Sequence, residues 1–223
     1  MRNHFDKYLN VRDLILTYRP CTILEVGAAL GENTMKLLKL RQEVPFRMVT
    51  ISDNPVTDAY YEVREAQTHG DYIWNQGISY ELIPKLPDKS VGMAIIDSDH
   101  NYWTLNQELL ALEPKLAPEC LVVFHDTETM GAVDAMPPDD SADPFLRHTT
   151  YGYNPYPLKE IVSAPYHGLL PAIFQFLERN REFGVIRSTS ESQGALCIAR
   201  INATQPRMIA VGNPVDMVQG GNK

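Results

Sequence analysis

Short apolar runs alternate with amphipathic segments through the first 125 residues of the sequence. The apolar runs lie at 21–27, 46–52, 71–76, 91–97 and 120–125. Between them, apolar residues recur at helical spacing over 34–41, 55–68, 79–86 and 102–113. Most of the runs are apolar at consecutive positions, which is typical of strands covered by helices on both faces. This alternation predicts parallel strands joined by crossover helices.

The two ends of the sequence complete the predicted fold. Apolar residues recur at i, i+3, i+4 and i+7 from Val11 to Tyr18, which predicts a short N-terminal helix. A further helix is predicted over 168–180, followed by two strands at 183–188 and 194–201 with a short polar connection. We therefore expect an α/β protein with a doubly wound, mostly parallel, seven-stranded Rossmann-like sheet that ends in an antiparallel hairpin.

The domain organisation follows from length and local composition. One domain is predicted for residues 1–202, because this length suits a single α/β core. Within it, residues 1–19 are predicted to form an N-terminal cap helix. Residues 127–166 are rich in proline and tyrosine and are predicted to form an insertion that serves as a lid or binding segment. Residues 203–223 show no periodicity and are predicted to be a flexible tail.

The acidic composition limits the expected partners. The net charge is -8 and the pI is about 5.2, so the surface repels a phosphate backbone and we expect no nucleic-acid partner. No apolar run approaches the roughly 20 residues that span a bilayer, and the first residues lack the apolar stretch of a signal peptide. We therefore expect a cytoplasmic protein without a membrane partner. Cys21, Cys120 and Cys197 are far apart in apolar runs and are predicted to be reduced, buried thiols.

The segment ILEVGAALGENT joins the first predicted strand to the helix that follows it. Its glycines, Gly27 and Gly31, allow a ligand to approach the backbone, and the free N–H groups at the start of the next helix can bind a carboxylate or phosphate. The spacing E-x-G-x-x-x-G differs from the dinucleotide and P-loop patterns, and no lysine follows Gly31, which argues against a nucleoside triphosphate. This turn predicts a cofactor site. The alternative is a tight strand-to-helix turn without a ligand.

Four segments together carry a resemblance to a known family. They are ILEVGAALGENT, NQGISYELIPKL (75–86), IIDSDHNYW (95–103) and LVVFHDT (121–127). The sequence resembles the class I S-adenosylmethionine-dependent methyltransferases over about residues 20–202. Within that group it is most similar to the catechol-type and macrocin-type O-methyltransferases (methyltransferase family 24), including the cephalosporin hydroxylase-like relatives. The resemblance implies the sheet described above, S-adenosyl-L-methionine as cofactor and a small-molecule hydroxyl as acceptor.

The resemblance also implies which residues hold the methionine end of the cofactor. Glu25, Gly27 and Thr34 match positions that line it. Ala28 and Gly31 belong to the same turn and to the same expected site.

Two further stretches are implied for the ribose and the adenine. In the family an acid usually ends the second strand and holds the ribose hydroxyls; that register falls on Ser52 here, and Asp53 is the only nearby acid. Gly77, Ile78 and Ser79 match the stretch that edges the adenine. A strand end followed by a helix cap is the alternative for this second group.

Asp97 and Asp126 end two predicted strands that are neighbours in the parallel part of the sheet. Such strands lie about 4.8 Å apart, so both carboxylates emerge at the same edge and can share one divalent cation, for which we expect Mg²⁺ or Mn²⁺. The resemblance agrees: Asp97 matches the first metal ligand and also borders the cofactor, and His125 with Asp126 matches an acidic pair. His125 is a departure, because Mg²⁺ prefers oxygen ligands whereas an imidazole suits Mn²⁺, Fe²⁺ or Zn²⁺, or else points away. Helix capping by Asp97 and a turn at Asp126 are the alternatives.

His100 lies three residues after Asp97, where the resemblance places a general base, a lysine in some members and a histidine in others. An imidazole with an unperturbed pKa near 6.5 accepts a hydroxyl proton at neutral pH. Asp97 would assist from the same turn, Asp99 could orient the ring, and Tyr102 and Trp103 could wall the acceptor. A surface histidine in a polar turn is the alternative.

The residues and the resemblance together imply a methyltransferase that uses S-adenosyl-L-methionine, a divalent cation and His100 to methylate a small-molecule hydroxyl. Two alternatives stay open. One is a metal-independent small-molecule N- or O-methyltransferase, and the other is a cofactor-binding, hydroxylase-related protein without methyl transfer. The acceptor, the metal and a homo-oligomeric state are not determined by the sequence.

Overall fold

The apolar runs form one seven-stranded sheet in the computed structural model, which describes residues 11–28, 31–53, 71–133, 160, 163–189 and 194–201. Strands β1 to β7 are, in chain order, Thr22–Val26, Arg47–Ser52, Tyr72–Gln76, Val91–Ile96, Leu116–His125, Phe183–Thr189 and Ala195–Arg200. Their order across the sheet is β3-β2-β1-β4-β5-β7-β6.

The strand directions confirm the predicted fold class. Strands β1 to β5 are mutually parallel, whereas β7 runs antiparallel to β5 and pairs with an antiparallel β6. The chain moves from β1 outward to β3, then returns to place β4 on the other side of β1. In open sheets of this kind the crevice for a ligand lies at the carboxyl ends of the strands where the order reverses. Here that position is the edge formed by the ends of β1 and β4.

Helices cover both faces of the sheet. Helices α1 to α5 are Val11–Tyr18, Glu32–Leu40, Ser79–Leu82, Tyr102–Leu112 and Leu169–Arg179. Ile15 of α1 and Leu37 of α2 belong to one buried apolar cluster, and Leu105 of α4 and Ile173 of α5 belong to a second. Consecutive strand residues alternate between these clusters, for example Ile23 and Leu24 of β1. Both faces of the sheet are therefore buried, as the apolar runs predict.

Proline explains two differences between the predicted and observed elements. The predicted helix at 79–86 is α-helical only to Leu82 and continues as a 3₁₀ turn over Ile83–Lys85, because Pro84 has no N–H for an α-helical bond. Strand β5 begins at Leu116 rather than at residue 120. Its pairing with β4 shifts between Val91 and Met93, and this irregularity accommodates Pro118 within the strand.

The cysteine prediction is wrong in one respect. All three cysteines are free and Cys120 and Cys197 are buried, but Cys21 is exposed, because it precedes β1 and stays outside the core. The predicted helix at 55–68, the tail at 203–223, and the parts of the cap at 1–10 and of the insertion at 134–159 lie outside the described residues. None of the described helices has the length and apolar character needed to cross a bilayer.

Candidate active site

Four polar side chains meet at the carboxyl edge of β4 and β5. Asp97 directly follows β4, His125 is the last residue of β5, and Asp126 comes next. The strand register pairs Ile96 with Phe124, so the two chain ends leave the sheet side by side. Asp126 has a φ of 57°, in the left-handed region that a non-glycine residue occupies only at some cost. The backbone thus turns sharply at Asp126, whose carboxylate belongs to the cluster.

The two histidines lie between the two carboxylates. His100 Nε2 is 2.8 Å from Asp126 Oδ2 and 3.3 Å from Asp97 Oδ1. His125 Nδ1 is 2.8 Å from Asp126 Oδ1 and 3.3 Å from Asp97 Oδ1. Each carboxylate therefore contacts both imidazoles. The side chain of His100 is 21% exposed and that of His125 is 12% exposed, so His100 is the more accessible of the two rings.

These contacts determine the charges of the four groups. Burial lowers the pKa of His100, but the hydrogen bonds that its ring donates to Asp126 and Asp97 outweigh this effect and raise the pKa to about 10. The same balance raises the pKa of His125 to about 9. Burial raises the carboxyl pKa values, but the two imidazoles hold those of Asp97 and Asp126 below their ordinary range. At neutral pH the isolated cluster therefore consists of two carboxylates and two imidazolium ions, with no net charge.

Three of these residues also present a set of donor atoms for a cation. One donor atom from each of Asp97, His100 and Asp126 lies within 4.8 Å of the other two. The sequence prediction named Asp97, His125 and Asp126 as ligands and His100 as the base. The structure brings all four together, and it places His100 within the set of converging donors.

The turn that carries His100 is held by its own hydrogen bonds. Asp99, which the sequence suggested as a partner for the imidazole, instead accepts hydrogen bonds from the Asn101 amide and from the Thr104 hydroxyl at 2.8 Å. Asn101 Oδ1 caps helix α4 by accepting from the Thr104 N–H at 2.8 Å. Asp99 therefore fixes the turn at the start of α4, and the carboxylates that orient His100 are Asp97 and Asp126.

The glycine turn after β1 lies against the turn after β4. Gly27 has a φ of 81°, and a Cβ atom added there would lie 2.1 Å from the Asp97 carbonyl oxygen. Gly31, with a φ of 83°, precedes α2 as its N-cap residue. The close approach of two backbones thus requires glycine at position 27, whether or not a ligand also binds there. Gly27 is therefore explained by the tight strand-to-helix turn alone. The same close approach places this turn beside the cluster that contains Asp97.

Glu25 and Thr34 support this turn from beneath. Glu25 is 2% exposed, and its Oε2 accepts hydrogen bonds from Thr34 at 2.7 Å and from Thr50 at 2.9 Å. The Tyr72 hydroxyl donates to Thr50 in turn. Burial raises the pKa of Glu25 to about 7. Glu25 also lines a cavity of about 240 Å³ beside α1 and α2.

The remaining predicted cofactor residues divide into buried and accessible groups. Ser52 and Ser79 are 3% and 4% exposed, and the Ser79 hydroxyl donates to Glu108. Asp53, Gly77 and Ile78 are partly exposed at the same carboxyl edge. Ala28 is 6% exposed. Between the two ribose candidates, Asp53 has the more accessible side chain.

Residues 24–127 match the model of a protein family described as a methyltransferase domain. The match covers just under half of the chain. This segment begins in β1 and ends just after Asp126, so it holds the glycine turn and the whole polar cluster. The resemblance noted in the sequence is thereby confirmed.

Solved structures of methyltransferases share the fold of this chain. A Staphylococcus aureus protein described as a caffeoyl-CoA O-methyltransferase superimposes with a TM-score of 0.56 at 16% identity, over 85% of this chain and 80% of that chain. The Podospora anserina methyltransferase PaMTH1, solved with S-adenosylhomocysteine, gives 0.54 at 13% identity, over 85% and 76%. A Burkholderia thailandensis 1,6-didemethyltoxoflavin-N1-methyltransferase gives 0.51 at 13% identity, over 86% and 76%. No curated protein is significantly similar in sequence.

Aromatic residues lie at the start of α4. Trp103 meets the Tyr80 ring edge-on, with ring centroids 5.4 Å apart. Tyr102 contacts the Tyr166 ring and donates its hydroxyl to Gln175 at 2.9 Å. Tyr102 and Trp103, which were predicted to wall the acceptor, thus pack against residues of α3 and α5 and against Tyr166.

Glu108 is a residue that the sequence analysis missed. It lies on the buried face of α4 and accepts hydrogen bonds from Ser79 and Ser98. The available signal was an acid among Leu105, Leu109 and Leu112 on the apolar stripe of the helix. A charged residue at such a position requires buried partners.

Proposed function

We propose that this protein transfers a methyl group from S-adenosyl-L-methionine to the hydroxyl of a small molecule, assisted by a divalent cation. The observation that carries the proposal is the cluster of Asp97, His100, His125 and Asp126, which lies beside the glycine turn of a methyltransferase domain. Ligands of open α/β sheets bind at this edge.

The residues around the glycine turn fit the proposed cofactor. The close approach at Gly27 leaves backbone, rather than side chain, along the crevice, and α2 begins at Glu32 directly after Gly31 with its free N–H groups. The partly exposed Asp53 offers a carboxylate for the ribose hydroxyls, and the adjacent Gly77 and Ile78 would border the adenine. Glu25, Thr34 and Ser79 are buried, so in this proposal they support the site instead of touching the cofactor.

The cluster fits a divalent cation through its donor atoms. Asp97 and Asp126 would supply carboxylate oxygens, and His125, whose Nδ1 contacts both carboxylates, would supply a nitrogen. His100 Nε2 lies within 4.8 Å of the same carboxylate donors and would stay off the cation, free to accept a proton. A mixed oxygen and nitrogen set suits Mn²⁺ or Fe²⁺ at least as well as Mg²⁺. Such a cation would acidify an acceptor hydroxyl and orient its oxygen.

The two histidines would have different roles. We assign His100 as the base that accepts the proton of the acceptor hydroxyl, because its imidazole is the more exposed of the two. It can accept a proton only when neutral, and it takes that form when another cation neutralises the carboxylates that now keep it protonated. His125 has the less exposed side chain and would hold the orientation of both carboxylates.

One observation supports a metal-independent alternative. The cluster already balances two carboxylates with two imidazolium ions, so it needs no further cation to be electrically neutral. In that case Asp97 and Asp126 would shape the pocket, and the acceptor atom could be nitrogen or oxygen. The other alternative is a hydroxylase-related protein that binds the cofactor but transfers no methyl group.

A binding experiment separates these possibilities. The intact protein is titrated with S-adenosylhomocysteine in a calorimeter, first with EDTA and then with Mn²⁺. A panel of small hydroxyl and amine compounds is next screened for release of S-adenosylhomocysteine from S-adenosyl-L-methionine. Turnover of a hydroxyl compound that needs Mn²⁺ or Mg²⁺ supports the proposal. Full turnover in EDTA supports the metal-independent alternative, and no binding of S-adenosylhomocysteine contradicts both.

A further inference from the structure

Glu108 is an ionisable group that the proposed reaction does not use. It is fully buried on α4, among the apolar residues Leu105, Leu109 and Leu112 that pack against the sheet. Burial raises its pKa to about 7, and the hydrogen bonds from two serines oppose that rise. A carboxyl group in such surroundings is costly unless its hydrogen bonds are satisfied.

Each oxygen of Glu108 accepts one serine hydroxyl. Ser79 Oγ lies 2.5 Å from Oε1, and Ser98 Oγ lies 2.8 Å from Oε2. Ser79 is the first residue of α3 and directly follows Gly77 and Ile78. Ser98 directly follows Asp97. One side chain therefore connects the turn after β3 with the turn after β4.

The sheet itself does not connect these two turns. In the order β3-β2-β1-β4, two other strands lie between β3 and β4. Three strand spacings of about 4.8 Å separate β3 from β4 by about 14 Å, so no backbone ladder links their ends. The hydrogen bonds of Glu108 provide a direct connection at the carboxyl edge.

A neighbouring aromatic contact lies between the same elements. The ring of Tyr80, which follows Ser79 in α3, meets the ring of Trp103 in α4 at an interplanar angle of 89°. This contact holds the start of α3 against α4 by packing. The Glu108 hydrogen bonds are directional in a way that packing is not, since they fix both serines to one carboxyl group.

We propose that Glu108 is a positioning residue that fixes the turn at 77–79 relative to the turn at 97–100. The inference rests on the proposed function, in which the first turn borders the adenine and the second carries Asp97 and His100. Through Ser79 and Ser98, Glu108 sets the distance between the cofactor's adenosine end and the polar cluster. It touches neither the cofactor nor the acceptor.

The test compares three variants of the intact protein. Glu108→Leu removes both acceptors while keeping similar volume in the core. Glu108→Gln keeps an oxygen for one serine and an N–H donor for the oxygen of the other. Glu119→Leu removes an acid from an exposed position on β5 and is the control for lost charge.

Two measurements are made on each variant. Calorimetric titration gives the affinity for S-adenosylhomocysteine and for 5′-methylthioadenosine, which keeps the adenosine but lacks the amino acid. Hydrogen exchange of the ligand-free protein, followed by mass spectrometry, gives the local opening of residues 77–82 and 97–101. For Glu108→Leu we expect about tenfold weaker binding of both ligands, or about 1.4 kcal/mol, and faster exchange in both segments. Glu108→Gln and Glu119→Leu should stay within about threefold of the unaltered protein.

Distinct results would overturn the inference. Unchanged ligand affinity with unchanged exchange in both turns would show that Glu108 does not position them. A uniform rise in exchange over the whole sheet in Glu108→Leu would show a purely structural role. If Glu108→Leu fails to fold, the double variant Ser79→Ala with Ser98→Ala takes its place with the same expected results. If the unaltered protein binds neither ligand, the proposed function is wrong, and the exchange rates alone decide whether Glu108 holds the two turns.

Discussion

The Nε2 atom of His100 lies 2.8 Å from Oδ2 of Asp126, although the two residues belong to different turns after different strands. The contact arises because β4 and β5 are parallel neighbours whose carboxyl ends meet at one edge. The same edge carries His125 and Asp97, and the methyltransferase domain match spans all four residues. The chemistry that we propose depends on this meeting of two turns.

Loss of either carboxylate should weaken cation binding. Asp97→Asn or Asp126→Asn eliminates one anionic donor of the converging set, so Mn²⁺ affinity should fall by at least about tenfold in each. Mn²⁺ binding is measured by electron paramagnetic resonance of the free ion. Asp71→Asn, at an exposed carboxylate far from the cluster in sequence, is the control and should bind Mn²⁺ as before. Unchanged binding in both cluster variants would place the cation elsewhere.

Replacing His100 and replacing His125 should affect different properties of the enzyme. His100→Ala should lower kcat by roughly 10²–10⁴-fold, the usual effect of removing a positioned proton acceptor, with nearly unchanged affinity for S-adenosylhomocysteine. His125→Ala should instead raise the Mn²⁺ concentration needed for half-maximal activity, because its contacts orient both carboxylates. Activity of each variant is followed over a Mn²⁺ titration with an acceptor from the screened panel. Recovery of the His100 variant at high Mn²⁺ would contradict its assignment as the base.

The buried Glu25 should make stability depend on pH. Its folded-state pKa is about 7 against an ordinary value of 4.5, so the unfolded chain releases this proton first as the pH rises. The stabilising contribution is full below pH 4.5 and is lost as the pH rises through 7, by about 1.4 kcal/mol for each unit of pKa difference and roughly 3 kcal/mol in all. Glu25→Gln has no such titration.

Urea unfolding at pH 4.5 and 7.5 measures this effect. Between those values the unaltered protein should lose stability relative to Glu25→Gln, and the difference isolates Glu25 from other titrating groups. Glu119→Gln, at an exposed site, should follow the unaltered protein. Parallel pH profiles for the unaltered protein and Glu25→Gln would mean that folding does not raise the pKa of Glu25.

Glycine at position 27 should be required for the fold as well as for the cofactor. An added Cβ meets the Asp97 backbone at 2.1 Å in a left-handed conformation, so Gly27→Ala should cost at least about 1–3 kcal/mol of unfolding free energy. Gly184→Ala is the control, because its Cβ would meet only the flexible end of the Ile201 side chain. Denaturant unfolding of both variants checks the difference. Equal stabilities would show that the two backbones separate at little cost.

The sequence predicted the sheet and the meeting of Asp97 with Asp126, because strand periodicity and parallel direction determine which ends share an edge. It could not predict that His100 reaches the carboxylate of Asp126, since that contact depends on the path of a turn. The protonation of His100 was also beyond reach, because its pKa depends on two carboxylates brought together only by folding. Glu108 was missed because a single acid on an apolar stripe has no local signature for its distant serine partners.

A crystal structure of the protein grown with S-adenosylhomocysteine and Mn²⁺, with anomalous data at the manganese edge, tests the central claim most directly. We expect one manganese peak between Asp97 and Asp126, with S-adenosylhomocysteine across the carboxyl ends of β1 and β2 and its ribose at Asp53. Manganese at another site, or S-adenosylhomocysteine bound away from the glycine turn, would contradict the account.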